Sequence, residues 1–512
     1  MRLVRVLLTA LVLIAAVRLV VLFSALVFGS LGVARHHVEA TATVFAILAV
    51  ALKFLRTSPA PSDPSPSPVS SVLAWLTFCL LAIALYWPSL WIGLLSDDYV
   101  LMKHASEMNF SAVTSTLFRP IPLMLWAAVL GAGGGPVTLH LLNVVLHGTN
   151  AYLGTVIFRT WIPGRQSALA GGLLLLSAPL APEAVAWCSG IFDVSATTCI
   201  LSAVLVATRY ATVRPLLLMR FSLAGLCLAA VLSKETAAIA PLLIFLYAWS
   251  SGRLSRTLLI DLGIVMTVIA VYGGLRVAAH PESAVFTFTK YAVQRALFTA
   301  FGSLAVPYHD DLRTNAPWIL IVGTVALVYL WTQFSIRRGP RRDLTLALTG
   351  FAWILIAVLP AWPILVVPGD LQASRFLYLA ATGWSLALVV AASSGERGSR
   401  AVDRRTAVNT AMILIIVLIS FTAVRVHLGP WVEAGQLRDH VLSAAANNQQ
   451  MNSCASVRIV DLPDNVRGAY VFRNGVAEAL LTSRGITVVG PEAKPSCHFR
   501  WTADHAFVPI SN

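Results

Sequence analysis

The feature that most constrains this chain is a succession of apolar runs, each near the length of a membrane span, divided by short charged loops. Crossing a hydrocarbon core takes about 20 mainly apolar residues. Inside it every backbone N–H and C=O must be satisfied within the segment, so such runs fold as helices. Barrel strands would alternate apolar and polar residues, and these runs do not. The runs cover roughly residues 3–28, 39–55, 72–95, 139–160, 166–181, 194–210, 215–232, 236–250, 257–276, 315–335, 344–366, 374–392 and 406–427. The expected fold class is an all-α polytopic membrane protein of about 13 transmembrane helices. Composition agrees: 57% of the residues are hydrophobic and 12% charged, against roughly 25% charged in soluble proteins.

The formal net charge is +14, but its placement argues against a nucleic-acid partner. Arginines gather in short loops between apolar runs, as at Arg337, Arg338, Arg341 and Arg342, and again at Arg397, Arg400, Arg404 and Arg405. That is the signature of cytoplasmic loops. Taking those loops as inside, the first run (Leu3 to Phe28, after Arg2 and Arg5) is a retained span with a cytoplasmic N-terminus. Parity then places residues 96–138, 182–193, the 232–236 junction, 277–314, 367–374 and everything after 428 outside.

Composition also divides the chain. Residues 1–56 form an N-terminal helix pair, and the Pro/Ser stretch 57–71 is a linker that can be neither helix nor lipid-buried. Residues 72–428 form the membrane core, with long outer loops at 96–138 and 277–314. In those loops Ile121–Leu130 and the Val293, Leu297, Phe301, Leu304 repeat read as amphipathic helices at the outer interface, or as a short span in each. Residues 429–512 carry turn signals between β-prone runs (Val457–Val460, Ala469–Phe472) and read as a small extracytoplasmic α/β domain. Cys454 and Cys497 fall there, where a disulfide is permitted but spacing cannot prove one. Cys79, Cys188, Cys199 and Cys227 lie in or beside apolar runs and act as small hydrophobes.

Parity brings a group of polar residues to the outer face. `WIGLLSDDYVLMKH` puts Asp97 and Asp98 where an apolar run ends, with Lys103 and His104 behind them. Arg119 precedes Pro120, His140 and Asn143 begin `HLLNVVLHGTNAYL`, and Glu183 and Asp193 flank `WCSG`. Lys234 and Glu235 lie in `SKETA`, Arg375 and Tyr378 in `SRFLYL`. Ionisable groups at membrane depth face a cavity or a partner. Singly each has an ordinary reading: Lys234-Glu235 caps a hairpin, Arg375 snorkels, His147 is a packed histidine. His140 with Asp97 lacks the tight spacing of a metal site. Together they suit chemistry on a lipid-linked phosphosugar. Cations hold the phosphate and stabilise charge on the leaving group. A carboxylate takes the proton of an attacking hydroxyl, its pKa raised by the second carboxylate or the low-dielectric rim.

The order `SDDY`, `RP`, `HLLNVVLHGTNAYL`, `PEAVAWCSGIFD`, `SKETA`, `RFLYL`, with `LPDNVRGAYVFRNGVAEAL` in the tail, resembles the GT-C superfamily of membrane glycosyltransferases. The likeness is to protein O-mannosyltransferase-like members, whose eukaryotic forms carry tetratricopeptide repeats, and it spans roughly residues 75–480. The resemblance implies transfer of a sugar, with inversion, from a polyprenyl-phosphate donor to a protein, lipid or glycan acceptor at the extracytoplasmic face. It requires no resident cofactor. It implies Asp97 as catalytic base, with Asp98 the alternative, and Glu183, Asp193, Lys234 and Arg375 lining the donor and acceptor cavity. Ile191 stands where relatives usually have an arginine, leaving phosphate binding to Arg119, Lys234 or Arg375. No repeat array is visible.

A transporter or lipid-linked-sugar flippase, or a non-catalytic scaffold of the same fold, would also carry membrane charges and broken helices. Against the transporter, the acidic groups gather at one face and no internal repeat is evident. A bacterial inner membrane is the expected location.

Overall fold

The computed structural model describes residues 2–28, 41, 57–58, 72–110, 118–162, 165–210, 217–279, 290–336, 339–393, 401–490, 495–502 and 504–510. The second expected span (39–55), most of the 57–71 linker, and residues 111–117 and 280–289 of the outer loops lie outside the described residues. The expected class holds. Among the described residues seven helices are long and apolar enough to cross a membrane, and six shorter apolar helices accompany them. The chain is an integral membrane protein built of helices.

The Pro136–Trp161 helix sits at the centre. It packs against Val72–Tyr86, Arg165–Leu176 and Ile191–Ala207, while Arg341–Val358 and Ala380–Ser393 form a second closely packed pair. Membrane helices gain little from hydrophobic burial against one another, so close backbone approach through small residues does much of the work. Gly148 lets the central helix touch Val72–Tyr86: a Cβ there would stand 2.7 Å from Cys79 Cα and 2.9 Å from the Phe78 carbonyl. Gly350 and Gly383 do the same for the second pair, each facing the other's carbonyl.

Several apolar runs stop short of their expected ends, and each stop is chemical. The run from Val72 leaves the α-helix at Tyr86 and continues as a 3-10 turn, Trp87–Trp91, with Pro88 at its start. The run 166–181 ends at Leu176, ahead of Pro179 and Pro182. The stretch 344–366 ends its helix at Val358, before Pro360. These breaks face the same end of the bundle. Ile121–Leu130 is helical over Pro120–Gly131, 12 residues, or about 18 Å, short of a ~30 Å hydrocarbon core. The 293–304 repeat lies on the Lys290–Ala305 helix.

The tail forms the expected small α/β unit. Val457–Val460 pairs in parallel with Cys497–Trp501, which pairs antiparallel with Phe507–Pro509. The Val476–Arg484 helix lies between the first two strands in sequence. Ala469–Tyr470 makes a short antiparallel hairpin with Asn465–Val466. Cys454 and Cys497 are joined by a disulfide, Cα atoms 6.1 Å apart. Cys79, Cys188 and Cys227 are buried free thiols.

Gly148→Val is expected to force the two helices apart and cost about 1–3 kcal/mol. Gly225→Ala, which meets nothing within 4 Å, is expected to leave stability unchanged or slightly raised. Thermal unfolding in detergent checks both, and equal midpoints for the two variants would refute the close-packing argument.

Candidate active site

The site is built where the helices break. After the Trp87–Trp91 turn the chain makes a tight reversal at Ser96, whose φ is +49°, and restarts as the Asp98–Ser106 helix. Asp98 is fully buried. Its carboxylate accepts from the Leu95 N–H at 2.9 Å and from the Ser189 N–H at 2.7 Å, and also from the Ser189 hydroxyl. The Trp187 indole donates back to the Leu95 carbonyl at 3.2 Å. The first core helix is thereby stitched to the broken segment Pro182–Gly190. Asn143, buried on the central helix, donates to the Trp187 and Cys188 carbonyls at 2.9 and 3.1 Å, satisfying groups freed where that segment leaves helical geometry.

Asp97, beside Asp98, is half-buried and turned the other way; it accepts from Asn474 Nδ2 at 2.6 Å. The two adjacent carboxylates thus differ in kind. Asp98 has its oxygens occupied by donors of the membrane core, while Asp97 is held by Asn474 of the tail domain. Burial pushes the Asp98 carboxyl up to about 7, against the lowering effect of its three donors, with the Asp97 charge a minor addition.

Three cation–carboxylate pairs join the remaining charged residues of the expected site. Lys234 Nζ meets Asp193 at 2.5 Å, on the first turn of the Ile191–Ala207 helix. Burial lowers the Lys234 pKa, and Asp193 opposes that. Arg119 grips Glu235 with two nitrogens, its Nε at 2.8 Å. Glu183 is buried and accepts from the Arg375 N–H at 3.0 Å and the Ser374 hydroxyl at 3.3 Å. The Tyr470 hydroxyl, from the tail domain, donates to it at 3.3 Å. Burial raises the Glu183 pKa, with Arg375 opposing.

Arg375 is held more loosely than the other two cations. Its Nε lies 3.7 Å from Glu183, beyond a hydrogen bond, and that nitrogen is buried with no hydrogen-bond acceptor. The guanidinium lies over the Trp187 ring at 4.9 Å and the Phe376 ring at 5.6 Å. Burial works against its charge, but Glu183, Asp193, Tyr470 and Asp97 together hold its pKa above the ordinary value. Lys234 faces Phe376 as well, at 4.9 Å. Asp193, Lys234, Arg375 and Phe376 line a small pocket whose remaining wall is largely apolar, including Ile200, Ala357 and Leu379. A larger cleft elsewhere in the bundle has no charged lining residue.

Two expected site residues are placed elsewhere. His140 is buried and donates from Nε2 to the Gly93 carbonyl at 2.9 Å, pinning the turn that leads to Ser96. The Tyr378 hydroxyl donates to His147 Nδ1 at 2.8 Å and accepts from Asn150 at 3.1 Å, inside the helix packing. His147 Nε2 donates to the Leu176 carbonyl at 2.9 Å, so it is a hydrogen-bonded core histidine. Ile191 is buried at the start of its helix. Arg119, over the Phe192 ring at 4.9 Å, and Arg375 bring charge to its neighbourhood instead. Ser189, Ser374, Tyr470 and Asn474 join the site without having been singled out in the sequence. Among the described residues no group of three or more His, Cys, Asp or Glu is arranged to hold a metal.

No family model matches the chain. Over 129 residues, 25% of its length, it is 37% identical to the protein O-mannosyl-transferase Tmtc1 of Drosophila melanogaster, and the match spans 15% of that relative. Its structure is similar, at 14% identity and a TM-score of 0.40, to ArnT from Cupriavidus metallidurans, solved in the apo state and bound to undecaprenyl phosphate. That likeness covers 85% of this chain and 94% of ArnT. The arabinosyltransferase EmbB from Mycobacterium smegmatis is similar at a TM-score of 0.31 and 14% identity, over 77% of this chain and 45% of EmbB. The sequence match agrees with the resemblance to membrane glycosyltransferases that the motif order carries.

Asp98 binds its proton more tightly folded than unfolded, so its contribution to stability is full below about pH 4 and is lost as pH rises through about 7. The stability difference between wild type and Asp98→Asn is therefore expected to narrow or reverse across pH 4 to 7. Unfolding midpoints in detergent over that range check it; a constant difference would mean the carboxyl does not titrate there. Asp193→Asn leaves Lys234 without its counter-charge and is expected to cost about 3–5 kcal/mol, with Lys234→Met/Asp193→Leu less damaging than the single change.

Proposed function

We propose that this protein transfers a sugar from a polyprenyl-phosphate-linked donor to an acceptor hydroxyl at the extracytoplasmic face of the membrane. The observation that carries the proposal is the cavity at the helix breaks, where Lys234 and Arg375, with Asp193, face a space whose remaining wall is largely apolar. A phosphate on a long apolar chain needs both: cations for the headgroup and a greasy path for the tail. Arg375 suits the phosphate role because its Nε is buried, unpaired and only loosely tied to Glu183. The 129-residue likeness to a protein O-mannosyl-transferase supports the same reading.

In this reading Asp97 accepts the proton of the acceptor hydroxyl as its oxygen attacks the anomeric carbon from the side opposite the phosphate. The anomeric C–O bond breaks, its electron pair leaves with the polyprenyl phosphate, and the sugar is delivered with inverted configuration. Arg375 and Lys234 stabilise the charge that gathers on the departing phosphate. Asp98 stays a structural carboxyl. The donor is a substrate, and the mechanism uses no resident metal.

The test is incubation of purified wild type with radiolabelled polyprenyl-phosphate sugars, following label released from lipid. Asp97→Asn is expected to lower release at least about 100-fold with folding retained. Arg375→Gln is expected to weaken donor binding and transfer together. Release unchanged in Asp97→Asn would remove it as the base, and no release by wild type from any donor would overturn the enzyme reading.

A further inference from the structure

Besides the Tyr470–Glu183 hydrogen bond, the tail domain reaches the site at a second place, where its contacts converge on Ser96 and Asp97. The Val471 carbonyl accepts from the Ser96 N–H at 2.8 Å. The Asn474 N–H donates to the Ser96 hydroxyl at 3.2 Å. Asn474 Nδ2 donates to Asp97 Oδ1 at 2.6 Å. Gly475 has φ +76°, and a Cβ on it would stand 2.3 Å from the Ser96 carbonyl oxygen, so only glycine lets the segment lie this close. Ser96 is itself left-handed, at φ +49°, a conformation that a non-glycine residue keeps only where its surroundings hold it. The Val476–Arg484 helix continues the contact against the Asp98–Ser106 helix.

We infer that Asn474 is a positioning residue for the transfer reaction: it fixes the Asp97 carboxylate by one oxygen and leaves the other for the acceptor hydroxyl. The inference rests on Asp97 being the base. An amide suits the task. Its NH₂ donates to one carboxylate oxygen and sets its direction, yet it brings no charge that would compete for the donor phosphate. A carboxylate on a tight turn has free χ rotation, and a misplacement of about 1 Å in a reacting group costs on the order of 100-fold in rate. The contact spans 377 positions of sequence, so the tail domain is a wall of the catalytic site as well as a module beside it.

The experiment measures steady-state transfer by the full-length protein for wild type, Asn474→Ala and Asn474→Asp, alone and combined with Asp97→Asn. Asn474→Ala is expected to lower kcat about 10- to 100-fold with donor KM within about threefold. Asn474→Asp is nearly isosteric but loses the amide donor and sets a carboxylate against Asp97, so it is expected to be slower than Asn474→Ala. A purely structural role would rank them the other way. In the Asp97→Asn background neither change is expected to lower the residual rate further. Wild-type activity with Asn474→Ala within twofold of it, or with Asn474→Asp the faster variant, overturns the positioning role and leaves the base assignment intact. Loss of transfer in Asn474→Ala with unchanged rate in Asp97→Asn overturns the base assignment. A wild type that transfers no sugar overturns both.

Discussion

The buried carboxylate of Asp98 is the tie on which the geometry of the site depends. Three donors, two of them from Ser189, hold it. Through it the end of the Val72–Tyr86 helix is locked to the Pro182–Gly190 break. Each of these segments delivers one acidic group, Asp97 and Glu183, and neither would have a fixed place if its backbone were free to refold into helix. A buried carboxylate is costly to desolvate. Here it closes an irregular backbone that hydrocarbon could not otherwise tolerate, because its oxygens satisfy two N–H groups that no helix or strand serves.

The second organising principle is charge neutrality. Lys234 pairs with Asp193, Arg119 with Glu235 and Arg375 with Glu183, and of these six Asp193, Lys234 and Arg375 line one cavity. Breaking the Lys234–Asp193 or Arg375–Glu183 pair strands a buried charge, whereas Glu235, paired with Arg119, is half exposed. Their grips are unequal. Two are direct hydrogen-bonded contacts, and the third, at 3.7 Å, leaves the Arg375 guanidinium resting on aromatic faces. Such a cation can take an incoming anion without first losing a partner, and cation–π support keeps its charge tolerable while empty.

Much of this was legible in the sequence because membrane physics simplifies reading. Long apolar runs become helices, and polar residues at one face of them find one another, so Asp97, Glu183, Asp193, Lys234, Glu235, Arg119 and Arg375 emerged as a group. The misplaced residues have a common cause. His140 and Tyr378 are polar side chains on the same segments, but helical rotation turns them inward to the Gly93 carbonyl and to His147. Sequence spacing reports which end of a helix a residue occupies far better than which neighbour it meets. Ser189, Tyr470 and Asn474 escaped notice for the opposite reason. Each is an uncharged residue whose partner lies 91, 287 or 377 positions away. Asn474-Gly475 offers only the general signal of a loop, and its glycine serves close approach to Ser96.

The stitching of Val471–Gly475 onto Ser96 and Asp97 also sets an order of events during biosynthesis. Ser96 and Asp97 leave the ribosome early, and their partners follow only after every helix of the core has been made. On the proposed topology those partners must also be carried across the bilayer and fold around the Cys454–Cys497 bond. Until then the turn at Ser96 lacks the contacts that hold it, and Asp97 is an unguided carboxylate at the membrane surface. A half-made chain therefore has its membrane helices but not the finished turn at Ser96 and Asp97, which the tail domain completes.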